Sequence, residues 1–168
     1  SPPEGLFQSV SAGAAHSCGL RIDDTIACWG RNGDGETSPP EGAYKGVSAG
    51  AFHTCALRLD GMAICWGRDD YGQSRAPNEV FEHIASGGDH SCGLRADGAL
   101  RCWGWDDYGQ SSPPGGVFQT IATGAFYTCA LTDEGSASCW GGDGFGQSQP
   151  PQGIFSDVSA GAFHACGL

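Results

Sequence analysis

Apolar and polar positions along this chain alternate in short runs, and the whole pattern returns every 37 residues, at Phe7, Tyr44, Phe81, Phe118 and Phe155. The second copy shows the arrangement. Tyr44–Gly50 (YKGVSAG) alternates, carries a β-branched residue and ends in small residues. His53–Gly67 contains two strand-like runs on either side of Asp60-Gly61, and a Gly/Asp/Pro-rich loop with a short Gln-Ser stretch follows. No apolar stripe of 3.6-residue period lasts for the ten or so residues a helix needs. The pattern predicts an all-β chain built from one repeated supersecondary unit. The repeats run approximately 7–43, 44–80, 81–117 and 118–154, with 155–168 as the first half of a fifth.

Turn chemistry and cysteine spacing give the register independently of each other. If Leu59-Asp60-Gly61 is a three-residue hairpin loop with Gly61 in the left-handed region, Arg58 pairs with Met62 and Cys55 falls opposite Cys65. Ala96-Asp97-Gly98 and Asp133-Glu134-Gly135 place Cys92 against Cys102 and Cys129 against Cys139, and in the first repeat Asp24 stands at the glycine position, next to Cys18 and Cys28. One cross-strand disulfide per repeat is therefore expected, with Cys166 left unpaired. No two cysteines stand at zinc-site spacing, so the pairs read as disulfides of an oxidising compartment.

In this register His53, Cys55, Leu57, Ala63 and Cys65 share one face of the hairpin, and Ala56, Met62, Ile64 and Trp66 the other. Neither face is polar. Sheets buried on both sides by like sheets are the condition inside a β-propeller, and the small residues of the VSAG-type segments suit strands converging on its axis. A flat β-solenoid is the rival architecture.

The string from His90 to Gln110, HSCGLRADGALRCWGWDDYGQ, resembles the regulator-of-chromosome-condensation repeat. That resemblance implies a propeller of four-stranded blades, typically seven. The tail Tyr71-Gly72-Gln73-Ser74 with Pro77 is similar to the secreted bacterial branch that includes the second type of β-lactamase inhibitor protein. The added cysteines are similar to the repeats of Crinkly-type receptor kinases. The fifth copy reaches only its second predicted strand at Leu168, and Ser1–Leu6 repeats the loop around Ser38-Pro39-Pro40. The chain is accordingly read as a single domain, 1–168, of a longer closed propeller, with an open ring or closure between chains as the alternative.

Charge changes the functional picture. Acidic residues outnumber Lys and Arg by 19 to 8, for a net charge of -11, which disfavours nucleic acid and anionic membranes. No apolar run approaches the roughly 18 residues of a membrane helix. Gly46-Val47-Ser48-Ala49-Gly50 matches the pattern of a hydrolase nucleophile elbow, but no helix follows and the segment recurs in each repeat as a strand. His16, His53, His90 and His164, with Tyr127 in the fourth copy, recur at one position and read as scaffold hydrogen-bonding groups rather than a metal site. The loops Asn32–Glu36, Asp69-Asp70, Asp106-Asp107 and Asp143-Gly144 lack the ligand spacing of an EF-hand. Turn formation accounts for them, so no cofactor is expected, calcium being the one metal considered.

Two loop positions vary where the scaffold repeats. After Trp-Gly stand Arg31, Arg68, Trp105 and Gly142, and three residues later Asp34, Tyr71, Tyr108 and Phe145. Tyr71, Tyr108 and Phe145 are expected to plug the gaps between blades, and Trp105 to make contact with a partner. The candidate binding set is Trp105, Asp106, Asp107, Tyr108, Asp69, Asp70, Tyr71 and Arg68. The expected function is a non-enzymatic, secreted or cell-surface protein-binding module whose acidic face favours a partner with a basic patch. The alternatives are a glycan-binding propeller, with Trp105 beside Asp107 and Gln110, or a component of an extracellular assembly joined through Cys166 or the open blade edge.

Overall fold

A computed structural model describes residues 3–168. It contains strands and turns and no helix. The first blade is β1 (Phe7–Ala12), β2 (His16–Arg21) and β3 (Ile26–Gly30), and the second is β4 (Tyr44–Ala49), β5 (His53–Arg58) and β6 (Ala63–Gly67). The third holds β7 (His83–Ser86), β8 (His90–Leu94) and β9 (Leu100–Gly104), and the fourth β10 (Phe118–Thr123), β11 (Tyr127–Thr132) and β12 (Ala137–Gly141). A fifth sheet consists of β13 (Val158–Ala160) and β14 (Ala165–Gly167). Each sheet is an antiparallel meander in chain order.

The hairpins have the register that the turns imply. Arg58 N–H donates to Met62 O at 2.9 Å, and Cys55 lies opposite Cys65. Gly61 has φ +86°, and its counterpart Asp24 takes φ 65°, a conformation that Asp tolerates better than most residues. Disulfides join Cys18–Cys28, Cys55–Cys65, Cys92–Cys102 and Cys129–Cys139. The first four sheets have three strands each, and the fourth, outer strand expected of a blade is not formed as a strand. In the second blade it is a single antiparallel bridge between Met62 and Val80. The segments that would form this strand contain Pro39, Pro40, Pro77, Pro113, Pro114, Pro150 and Pro151, and proline cannot donate to a ladder.

The middle strands are buried on both faces: in β5, His53, Thr54, Cys55 and Ala56 are fully buried and Leu57 nearly so. Between blades one and two, Cys18, Leu20, Tyr44, Ala56 and Trp66 pack together, and between blades three and four Leu94, Phe118 and Ala130 do the same beside Trp140. Around the axis, Ala12–Ala14, Ala49–Ala51, Ser86–Gly88, Thr123–Ala125 and Ala160–Ala162 line a channel of about 270 Å³. Glycine is required there: a Cβ on Gly50 would lie 2.6 Å from Gly87 O and 2.4 Å from His53 Cε1.

A polar relay crosses the first and third blade boundaries, and related bonds cross the other two. His16 Nε2 meets Thr54 Oγ1 of the next blade at 2.8 Å, and Thr54 donates to Glu36 O at 3.0 Å. The Thr54 proton is thus committed to the carbonyl, so His16 donates from Nε2 and carries no proton on Nδ1. His90, Thr128 and Gln110 O repeat the arrangement at 2.9 and 3.1 Å, and His53 meets Ser91 at 2.8 Å. Tyr127 takes the histidine position in blade four and donates to Gly161 O and His164 O. His16, His53 and His90 are therefore structural, whereas His164, in the fifth sheet, is exposed.

Burial holds these imidazoles neutral. It lowers the pKa of His16, that of His53 to about 3 and that of His90 to about 4, with the neighbouring histidines adding to the effect at His53. A base whose folded pKa is depressed binds more protons when unfolded, so its contribution is complete above pH about 6.5 and drains away as pH falls towards 3–4. The denaturant midpoint should fall steadily between pH about 7 and 4. In His53→Gln, which keeps a side-chain N–H for Ser91 but does not titrate, that slope should be shallower; an equal slope would remove His53 as a cause. Replacing both Cys92 and Cys102 by serine should cost about 2–3 kcal/mol in the same assay, the loop-closure entropy of a short ring.

Candidate functional site

The loops that follow β3, β6, β9 and β12 all lie at the rim where the Trp-Gly strands end, and each is held by its own side chains. Asp69 Oδ1 accepts from Ser74 N–H at 3.2 Å, Asp106 Oδ1 from Ser111 N–H at 2.7 Å and Asp143 Oδ1 from Ser148 N–H at 3.1 Å. Gln73, Gln110 and Gln147 accept the N–H of Tyr71, Tyr108 and Phe145 through Oε1 at 2.9, 3.0 and 2.8 Å. These aspartates build turns, as their spacing implies. Among the described residues no group of three or more His, Cys, Asp or Glu is arranged to hold a metal.

The same loop residue that caps its own turn also enters the neighbouring blade. Glu36, Gln73 and Gln110 are completely buried. Their carbonyls accept the indole N–H of Trp66, Trp103 and Trp140 at 2.9, 2.9 and 3.1 Å. The loops are thereby fastened to the core at both side chain and backbone.

On this base stands a continuous row of rings. Trp105 touches Tyr71, Tyr108 and Phe126, with centroids 5.6, 5.3 and 5.6 Å away. Phe126 meets Phe163 at 5.7 Å, and Phe163 meets Phe145 at 5.3 Å. The expectation that Tyr71, Tyr108 and Phe145 plug the blade gaps is corrected: they are 50%, 58% and 78% exposed. The gaps are already filled by Tyr44, Phe81, Phe118, the buried Trp66 and the half-buried Trp103 and Trp140, which leaves the loop rings to lie across the blade boundaries at the surface. Trp105 is half-buried at the centre of the row rather than projecting alone.

Backbone pairing explains why the row is continuous. Arg31, Arg68, Trp105 and Gly142 N–H each donate to the carbonyl of the residue preceding the recurrent His or Tyr, namely Ala15, Phe52, Asp89 and Phe126. That second position was not singled out from the sequence, although its alternation between Ala15, Phe52, Asp89, Phe126 and Phe163 is visible there. It lies over the previous loop's glutamine. Asp89 accepts from Gln73 Nε2 at 3.0 Å, whereas Gln110 Nε2, with Phe126 in the equivalent place, is buried without a partner. A buried amide left unsatisfied costs on the order of 1–3 kcal/mol.

The remaining candidates separate into two groups. Arg68 pairs with Asp70 at 2.5 Å and Asp69 with Arg75 at 2.7 Å, while Asp106 and Asp107 have no ion pair among the described residues. In the first repeat Glu36 replaces the glutamine. Burial works to raise its pKa, but backbone N–H bonds and Arg31 at 2.7 Å hold it below the usual range. Cys166 is a free, exposed thiol on β14, beside a cleft of about 330 Å³ lined in part by Phe155 and His164.

Comparison with solved structures gives the CRINKLY WD40 ectodomain of the Arabidopsis thaliana receptor kinase ACR4, at TM-score 0.79 and 31% identity over 96% of this chain and 60% of that one. The entire ectodomain of the Physcomitrella patens receptor kinase CR4 matches at TM-score 0.82 and 32% identity, over 96% of this chain and 47% of that one. Prp20p from Saccharomyces cerevisiae shares the fold, at TM-score 0.78 and 17% identity over 96% of this chain and 55% of that one. The chain thus spans between 47% and 60% of the length of these proteins. No curated protein sequence matches it. Residues 7–36, 44–73, 81–110 and 118–147, more than half of the chain, each match the regulator of chromosome condensation (RCC1) repeat, and the chain belongs to that repeat family.

Proposed function

We propose that this chain is a non-enzymatic, extracellular protein-binding module that presents the loop face of a disulfide-braced propeller to its partner. The observation that carries the reading is the exposed ring row centred on Trp105, mounted on loops that are bonded into the blades. Rigid aromatic anchors lose little conformational entropy on binding and are enriched where interfaces concentrate their energy. Four disulfides and the likeness to two receptor ectodomains support placement outside the cell.

Trp105 and Trp66 should separate function from stability. Trp66 is buried and hydrogen-bonded, so Trp66→Ala should cost about 3–5 kcal/mol. Trp105 touches other rings at the surface, and Trp105→Ala should cost about 1 kcal/mol. Photo-cross-linkers placed at Tyr108 should trap a partner from the extracellular fluid of the source, with Trp105→Ala abolishing the product. Leu59→Ala, in the hairpin turn at the opposite ends of β5 and β6, should leave it unchanged. Equal cross-linking in Trp105→Ala would overturn the loop-face reading, and glycan binding that depends on Trp105 would replace a protein ligand with a carbohydrate one.

A further inference from the structure

Rings packed between the blades spend their polar tips on backbone carbonyls. The indole N–H groups of Trp66, Trp103 and Trp140 each donate to a loop carbonyl, and the Tyr127 hydroxyl donates to Gly161 O. Tyr44, completely buried, donates from its hydroxyl to Pro40 O at 2.9 Å. That last bond pairs an aromatic donor with a residue whose backbone accepts hydrogen bonds and donates none.

The rings of the loop face differ. Among the described residues neither the Trp105 indole N–H nor the Tyr71 and Tyr108 hydroxyls have a hydrogen-bond partner, and Trp105 touches both tyrosines. Three donors are therefore grouped on an exposed aromatic surface. Its rings meet steeply, Trp105 with Tyr108 at 76° and with Phe126 at 78°, so faces alternate with edges. The row is narrow, running from Tyr71 through Trp105 and Phe126 to Phe163 in steps of 5.6, 5.6 and 5.7 Å. A polyproline helix rises about 3.1 Å per residue, so about six residues follow this row. Charge narrows the ligand further. No Lys or Arg comes after Arg101. Asp106 accepts from Ser111 N–H and Ser112 Oγ, whereas Asp107, beside Tyr108 in the loop, is exposed with no ion pair among the described residues.

We propose that the ring row centred on Trp105 is a docking site for an extended, proline-rich segment of the partner protein, with a basic residue of that segment beside Asp107. The proposal rests on the protein-binding reading of the loop face and names the chemistry of the partner. Pyrrolidine rings pack on the exposed aromatic faces. The carbonyls of a polyproline helix, which no internal hydrogen bond uses, accept from Trp105, Tyr71 and Tyr108 as Pro40 O accepts from Tyr44. Proline asks for no acceptor in return. A segment already held in this helix also loses little conformational entropy when it docks.

The test is calorimetric titration of the whole chain with hexaproline-arginine, hexaproline-glutamine and hexa-alanine-arginine peptides at about 0.15 M salt, where diffuse attraction is screened. Hexaproline-arginine should bind at least about tenfold more tightly than the alanine peptide, and several-fold more tightly than the glutamine one. Trp105→Phe keeps a ring and removes the indole donor. The double variant Tyr71→Phe with Tyr108→Phe keeps both rings and removes both hydroxyls. Each should weaken hexaproline-arginine about fivefold, the worth of a hydrogen bond made on docking. Asp107→Asn, a change at an exposed carboxylate, should erase the preference for arginine over glutamine. No binding of hexaproline-arginine, equal affinity for either control peptide, or unchanged affinity in both donor-less variants would each overturn the proposal. Any of these results, with partner cross-linking still lost in Trp105→Ala, would remove the proline-rich ligand and leave the protein-binding reading standing.

Discussion

The backbone carbonyl of a single loop residue per repeat ties this molecule together. At Glu36 and Gln110 it receives two donors from the following blade, the Thr54 or Thr128 hydroxyl and the Trp66 or Trp140 indole, while the side chain of the same residue closes its own loop. At Gln73 the indole donor is Trp103. A buried carbonyl without a partner is costly, so the loop cannot leave the blade without exposing orphaned groups on both sides. The histidine relay extends the junction at Glu36 and Gln110, where His16 and His90 donate to the hydroxyl that donates to this carbonyl. Neighbouring blades and the loops above them are consequently one hydrogen-bonded unit.

This coupling explains why a face made of glycine-rich loops can serve as a binding surface. Irregular segments rich in Gly and Asp would ordinarily be mobile. Here the aspartate and glutamine side chains are spent on the loop backbone, leaving only the post-Trp-Gly position, the loop aromatic and the residue before the histidine free to differ between blades. Those positions form the surface. Blades one and two use them for arginines that neutralise nearby carboxylates, whereas blades three and four use them for rings and leave Asp106 and Asp107 unpaired. The buried, unpartnered amide of Gln110 marks the transition between the two uses.

Much of the scaffold was legible because repetition gives several independent readings of each feature. Hairpin turns and cysteine spacing agreed on register, and Asp24 could be placed at a glycine position by its alignment with Gly61, Gly98 and Gly135. The recurrent histidine was recognisable as a scaffold residue for the same reason. The roles of Tyr71, Tyr108 and Phe145 were not legible. A ring at a loop position fits a blade gap as well as it fits the surface, and the choice depends on whether other rings have already filled the gap. The pairing of Arg68 with Asp70 and the isolation of Asp107 were equally hidden, because both loops contain the same Asp-Asp step.

The sequence by itself determined the all-β character, the 37-residue unit, the register of each hairpin and the pairing of its cysteines, since these depend on backbone geometry within a few residues of one another. Tertiary structure alone decided that one repeat's loop carbonyl is completed by the next repeat's tryptophan. It also decided that rings from successive repeats meet in one row across the rim. Those relations join residues about one repeat apart, and they arise only when blade packs on blade, because each sheet is buried on both faces and must find its polar partners in its neighbours.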